Sequence, residues 1–152
     1  MEITFRKAQE EDAEILTRIS FAAKRHWSYP EECFAIWKDE LTITPAYIRK
    51  NTVLIAEADG ETVAYASVVS EGDESCLQHV FVLPLCIGKG IGSKLVTEMK
   101  KICAAQAIAC LTIFSDPHAQ GFYDKIGARY VDEFPSNIPG RNVAMYELAI
   151  GN

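Results

Sequence analysis

The 152-residue chain is 49% hydrophobic and 24% charged, the balance of a water-soluble globular protein long enough for one sizeable core. Its formal net charge is −6, with 21 acids against 15 Lys and Arg, which excludes non-specific nucleic-acid binding as an expectation and favours amine-bearing small partners. No apolar run is long enough to cross a bilayer, and the opening MEITFRKAQEED lacks the basic-then-apolar order of a secretory leader, so no membrane partner is expected.

In chain order, EITFRKA alternates as a strand does. Asp12 is placed to cap a helix in which Ile15, Leu16, Ile19, Ala22 and Ala23 recur at helical spacing. HWSYP breaks that pattern, and Pro30 with the acidic pair Glu31 and Glu32 opens a second helix carrying Phe34, Ile36 and Trp37. TVLIAEADGETVAYASVVS reads as a hairpin turning at Asp59-Gly60, and SCLQHVFVLP as the next strand. A glycine-rich turn follows. Then IGSKLVTEMKKICAAQ sets Ile91, Leu95, Met99, Ile102 and Cys103 on one helix face. IACLTIFS reads as a buried strand and DPHAQGFYDKIGA as a short helix with Pro117 in its first turn and Gly127 at its end. RYVDEFP and VAMYELAI close the chain as strands around the loop SNIPGR.

This order predicts an α/β fold, a mixed central sheet of about six to seven strands covered by about four helices, in a single domain over residues 1–152. The three successive strands between residues 53 and 83 exclude a regular doubly wound repeat. The five cysteines, Cys33, Cys76, Cys86, Cys103 and Cys110, are odd in number and lack C-x-x-C spacing. Reduced thiols, a cytoplasmic location and no metal are expected, with Cys103 and Cys110 buried as small hydrophobes.

Three alternate glycines, Gly88, Gly90 and Gly92, lie in VLPLCIGKGIGSKL between a strand and a helix. Such a turn either closes a strand-to-helix connection and binds nothing, or cradles an anion. In the second case the free N–H groups of a helix start and its dipole attract negative charge, and the missing Cβ atoms let a phosphate approach the main chain. The P-loop pattern G-x-x-x-x-G-K-S/T is absent. The dinucleotide pattern G-x-G-x-x-G fails at Ser93.

Val82-Leu83-Pro84 followed by Ile87-Gly88-Lys89-Gly90-Ile91-Gly92 resembles the cofactor signature of the GNAT superfamily of acyl-CoA-dependent N-acyltransferases, Q/R-x-x-G-x-G/A after a strand ending V-x-P. SDPHAQGFYDKIGARYV is similar to that family's N-x-x-A-x-x-F-Y-x-x-x-G-F stretch, and the hairpin resembles its central strands in position and spacing. The likeness covers most of the chain. Ile87 stands where the family usually has Gln or Arg, Ala128 where it often has an aromatic, and His118 is taken as the counterpart of its Asn.

The resemblance implies a GNAT-like fold and transfer of an acetyl group from acetyl-CoA to a primary amine by direct attack in a ternary complex. An amine with a reference pKa of about 10.4 must lose a proton before it attacks, and the departing thiolate must gain one. By resemblance, Val80, Phe81 and Val82 hold the pantetheine arm and polarise the thioester through main-chain N–H groups. Gly88, Lys89, Gly90, Ile91, Gly92 and Ser93 hold the pyrophosphate, with His118 and Tyr123 also at the cofactor. Tyr123 matches the acid for the thiolate. The base stays open between His79 and His26, and strand alternation sets His79 on the face opposite Gln78 unless a bulge intervenes. His26, Trp27, Tyr29 and Glu32 in the first helix pair, with Ser136, Asn137 and Arg141 in the last loop, line the expected acceptor site. Aromatics and carboxylates there suit an amine. A small-molecule amine is the expected acceptor, with a protein or peptide amine, or a non-catalytic acyl-CoA-binding module, as alternatives. A homodimer through an exposed edge strand is the expected assembly.

Overall fold

The computed structural model describes residues 2–151. Its strands are β1 (Ile3–Lys7), β2 (Thr52–Ala58), β3 (Glu61–Glu71), β4 (Glu74–Val82), β5 (Cys110–Ser115), β6 (Arg129–Pro135) and β7 (Asn142–Ala149). Its helices are α1 (Ala13–Arg25), α2 (Glu31–Leu41), α3 (Pro45–Lys50), α4 (Ile91–Ala105) and α5 (Gln120–Lys125). The strands form one seven-stranded mixed sheet in the order β1-β2-β3-β4-β5-β7-β6. All neighbours are antiparallel except β4 and β5, which run parallel and pair only at Cys76 and Thr112. No described helix is long and apolar enough to cross a membrane.

Two layers of helix cover the sheet. On one face α4 buries Ile91, Leu95, Val96, Met99 and Cys103 against Leu54, Ala56, Leu77, Leu111 and Tyr146. This is the face predicted from helical spacing; Ile102 packs against it half-buried, and Val96 joins it. On the other face Leu16 and Ile19 of α1, Ile48 of α3 and Ile43 from the link before α3 pack around Val53, Ile55 and Tyr65. There α2 adds Phe34, Trp37 and Leu41, which meet Tyr29 and Ile138. Each fully buried Leu or Ile side chain contributes about 1.5–3 kcal/mol of transfer free energy, so these two layers carry most of the favourable burial.

Five helices stand where about four were expected. The addition, α3, is six residues long, too short to show a period, and is started by Thr44, whose hydroxyl accepts from the Tyr47 N–H at 3.0 Å, and by Pro45 in its first turn. Asp12 precedes α1 without capping it. Its carboxylate accepts instead from the Gln9 N–H at 2.7 Å and from Arg6 at 2.8 and 3.0 Å, a pairing that lowers its pKa. Ile15, placed by its spacing among the apolar positions of α1, is exposed, as is Ile36 of α2. So is Cys110, because the helices over β5 cover only the face bearing Leu111 and Ile113. β6 is the outer strand, and every residue of it is exposed.

Tyr65 is fully buried beneath α1, and its hydroxyl lies 2.6 Å from Ser20 Oγ, which also donates to the Leu16 carbonyl at 3.0 Å. Tyr65→Phe removes one of two bonds to Ser20 and leaves no group without any partner. We expect a loss of about 1 kcal/mol in urea unfolding.

Candidate active site

The site begins at an irregularity in β4. Pairing with β3 steps from Ser67–His79 to Val68–Leu77, so Gln78 is an extra residue without a counterpart. The bulge cancels one alternation and sets Gln78 and His79 on the same side, facing α3. The Tyr47 hydroxyl donates toward Gln78 Oε1 and sits 2.8 Å from Ser67 Oγ, and its ring lies 6.4 Å from that of His79. Simple alternation had put His79 on the opposite face.

His79 is only 4% exposed. Its ring stacks on Phe81 at 5.0 Å and meets Tyr65 edge-on at 6.1 Å, and its Nε2 has no partner among the described residues. Burial pushes its pKa down to about 4, against a raising contact from the Glu40 main chain and with a lowering push from the Lys24 charge. It is therefore a neutral imidazole at pH 7. It lies behind Phe81, outside the residues lining the large cleft.

Past Cys76 and Thr112 the parallel strands β4 and β5 part, leaving one edge of β4 without a strand partner. A cleft of about 380 Å³ opens there. Val80, Phe81 and Val82 form one wall, the glycine turn and the start of α4 form its end, and Phe122 and Tyr123 of α5 form the other wall. The turn requires glycine: Gly88 has φ +85° and Gly90 φ +78°. At Gly92 a Cβ would meet the Phe122 ring at 3.1 Å, so the missing side chain lets α5 close on the helix start. The first bond within α4 runs from the Lys94 N–H to the Gly90 carbonyl, which leaves the N–H groups of Ile91, Gly92 and Ser93 without helical partners. These donors, in a 15-residue helix, fit a pyrophosphate. Gly88, Gly90, Ile91, Gly92 and Ser93 all line the cleft, as does Ile87. Lys89 is exposed and does not; the cations that line it are Lys24 and Lys125.

Gly90→Ala places a Cβ in a left-handed conformation that costs an L-residue about 1–2 kcal/mol. We expect a several-fold rise in KM for acetyl-CoA and a lower Tm, measured by steady-state kinetics and thermal unfolding.

Tyr123 is 6% exposed, packs against Phe122 at 5.1 Å and Tyr146 at 5.9 Å, and lines the cleft. Burial, with Cys76 and Asp116 nearby, raises its pKa well above the ordinary phenol value, so it holds its proton throughout the neutral range. Burial likewise pushes the Cys76 thiol up to about 11.

A charged cluster closes the inner end. The Asp116 carboxylate accepts from Lys24 Nζ at 2.8 Å, from the Tyr29 hydroxyl at 2.6 Å and from the His118 N–H at 3.0 Å. Burial pushes the Asp116 pKa up, but the Lys24 charge and these donors outweigh it and hold the carboxyl below its ordinary value. Lys24 Nζ also sits 4.3 Å from the centre of the Trp37 ring. Lys24 and Asp116 line the large cleft and also a smaller pocket of about 120 Å³ beside it, bounded by Tyr29, Trp37, Glu40, Ser136, Asn137 and Arg141.

Of the sequence-derived acceptor residues, Tyr29, Ser136, Asn137 and Arg141 meet at this smaller pocket. Trp27, 41% exposed, lies on the wall of the large cleft, its ring stacked 4.6 Å from that of His118 at an interplanar angle of 4°. His26 stands behind Trp27 at 4.6 Å and lines neither space. Glu32 lies in a separate hollow with Trp27, Tyr29 and Arg141. Counting back from Ala119 corrects one alignment: Asp116, not His118, takes the polar position that opens the D-P-H-A-Q-G-F-Y stretch. Lys24, Trp37, Glu40 and Asp116 were not singled out from sequence. For Asp116 that count was the available signal.

The acetyltransferase (GNAT) domain family matches residues 49–127, which hold the hairpin, β4, the glycine turn, α4, β5 and α5. A GCN5-related N-acetyltransferase from Rhodopseudomonas palustris superposes with a TM-score of 0.81 at 22% identity, over 98% of this chain and 96% of that one. The PaiA N-acetyltransferase of Thermoplasma acidophilum, solved in complex with coenzyme A, gives 0.79 at 20% identity over 98% and 99%. The ribosomal-protein-S18-alanine N-acetyltransferase of Escherichia coli gives 0.72 at 18% identity over 99% and 96%. At these identities the likeness is one of fold. No curated protein sequence matches the chain.

Proposed function

This chain belongs to the GNAT acetyltransferase family, and from that premise we propose that it moves an acetyl group from acetyl-CoA to the primary amine of a small molecule, by direct attack in a ternary complex. One observation carries the reading: Lys24 and Asp116 line both the long cleft and the small pocket, so an amine held in the pocket meets a thioester held in the cleft at that junction.

Acetyl-CoA supplies the activated acyl group. The chain supplies its placement. Main-chain donors at Val80 and Val82, on the edge of β4 that pairs with no strand, hold the pantetheine arm and stabilise negative charge on the thioester oxygen, while the Phe81 N–H points the other way, toward β3, as does the Leu83 N–H that donates to the Val63 carbonyl. The turn of Gly88, Gly90, Gly92 and Ser93 takes the pyrophosphate through main-chain N–H groups. That donor set makes no use of the side chain at 87, so Ile87 is compatible with it. Tyr123 delivers a proton to the departing sulfur; a buried phenol that stays protonated suits the task.

The amine proton leaves to water, because His79 is shut behind Phe81 and lines neither the cleft nor the pocket. His26, behind Trp27, has no part in this scheme.

The test is a panel of small primary amines, amino acids, and peptides with free N-termini or lysines, incubated with acetyl-CoA, followed by release of free thiol and by product mass. Acetylated small amines are expected. Acetylation of peptides alone overturns the small-molecule reading. CoA binding without acetylation of any acceptor leaves a binding module.

A further inference from the structure

We infer that the acceptor carries an anionic oxygen group as well as its amine, in the manner of an amino acid, and that Arg141 reads that group. The inference rests on the acceptor pocket proposed above.

The small pocket holds four charged side chains: Lys24, Asp116, Glu40 and Arg141. Two of them satisfy each other, since Lys24 is bonded to Asp116 at 2.8 Å. Arg141 and Glu40 have no ion-pair partner among the described residues. The pocket thus offers one uncommitted cation and one uncommitted anion beside a closed pair.

Arg141 is held in place for this task. Its guanidinium lies 4.6 Å from the centre of the Tyr29 ring, which orients the plane without using its N–H groups. Its main chain is braced on both sides: the Arg141 N–H donates to the Ile138 carbonyl at 3.1 Å, and the Ser136 N–H donates to the Arg141 carbonyl at 2.8 Å. Within the same loop the Ser136 hydroxyl both donates to the Ile138 carbonyl and accepts from the Ile138 N–H. An oriented guanidinium with free donors matches a carboxylate through two parallel hydrogen bonds. Glu40 supplies negative charge for the amine before it is deprotonated. The pocket measures about 120 Å³, and Tyr29 and Arg141 also border the wider hollow of about 530 Å³ that holds Glu32.

The experiment compares amino acids with the matching amines that lack the carboxylate, using wild type and Arg141→Gln. Wild type is expected to acetylate at least one amino acid with a kcat/KM tenfold or more above its matched amine. Arg141→Gln is expected to cut that ratio at least tenfold through KM for the amino acid, and Arg141→Lys to restore part of it. Equal or better use of the matched amine, or equal losses for both in Arg141→Gln, overturns the inference while acetyl transfer to small amines stands. If neither set is acetylated, calorimetry of the CoA-loaded protein with the same amino acids decides. Binding that Arg141→Gln abolishes supports the pocket and removes only the transfer reaction; no binding overturns the inference.

Discussion

Tyr123→Phe is expected to lower kcat for acetyl transfer about 100-fold and to leave KM for acetyl-CoA within about twofold. Phe keeps the ring that packs against Phe122 and Tyr146, so the fold and the cleft wall persist. Only the hydroxyl is lost, and with it the proton for the departing sulfur. The effect belongs in kcat because the proton is needed after binding. The raised pKa of this phenol adds a condition: it keeps its proton across the neutral and mildly alkaline range, so wild-type activity should show no fall between pH 7 and pH 9 from loss of the acid. Steady-state kinetics at saturating acceptor, with circular dichroism to confirm folding, check both points. Full activity in Tyr123→Phe removes the acid role from this residue.

Asp116→Ala is expected to cost about 2–3 kcal/mol of stability at pH 7. Breaking a buried pair by removing one partner costs about 3–5 kcal/mol, and the figure is reduced here because water reaches part of both side chains. The variant leaves Lys24 between Trp37 and Tyr29 without its counter-charge, and leaves the Tyr29 hydroxyl and the His118 N–H without their acceptor. The pH dependence has a fixed sign. The Asp116 pKa is lowered in the folded protein, so its contribution is fully present above the unfolded value of about 3.9 and is lost as pH falls through the lower folded value. Urea midpoints of wild type and variant should therefore be far apart at pH 7 and converge below about pH 4. A constant gap across that range contradicts the role given to the carboxylate.

The parts legible in the sequence are local ones. The Asp59-Gly60 hairpin turn and the apolar stripe of α4 show in short windows and recur in the structure. The glycine turn is legible because strand end, glycines and helix start are contiguous, and because positive φ at Gly88 and Gly90 is a demand that few other residues meet. What escaped depends on partners distant in the chain. The bulge at Gln78 is a mismatch between β4 and β3, and neither strand shows it alone. Lys24 and Asp116 are 92 positions apart, and nothing local marks them as a pair. Cys110 appeared buried because an apolar strand does not disclose which of its faces a helix will cover. Helix α3 is too brief for a period, although Thr44-Pro45 carried the signal of a helix start.

The central claim is that the space between the parted ends of β4 and β5 seats acetyl-CoA with its sulfur beside Tyr123. A crystal structure of the protein with CoA bound tests it most directly. The account predicts the pyrophosphate on the N–H groups of residues 88–93, the pantetheine arm along residues 80–82, and the sulfur within hydrogen-bonding reach of the Tyr123 hydroxyl. A pyrophosphate bound away from the glycine turn, or a sulfur remote from Tyr123 and from the Lys24–Asp116 junction, would contradict it.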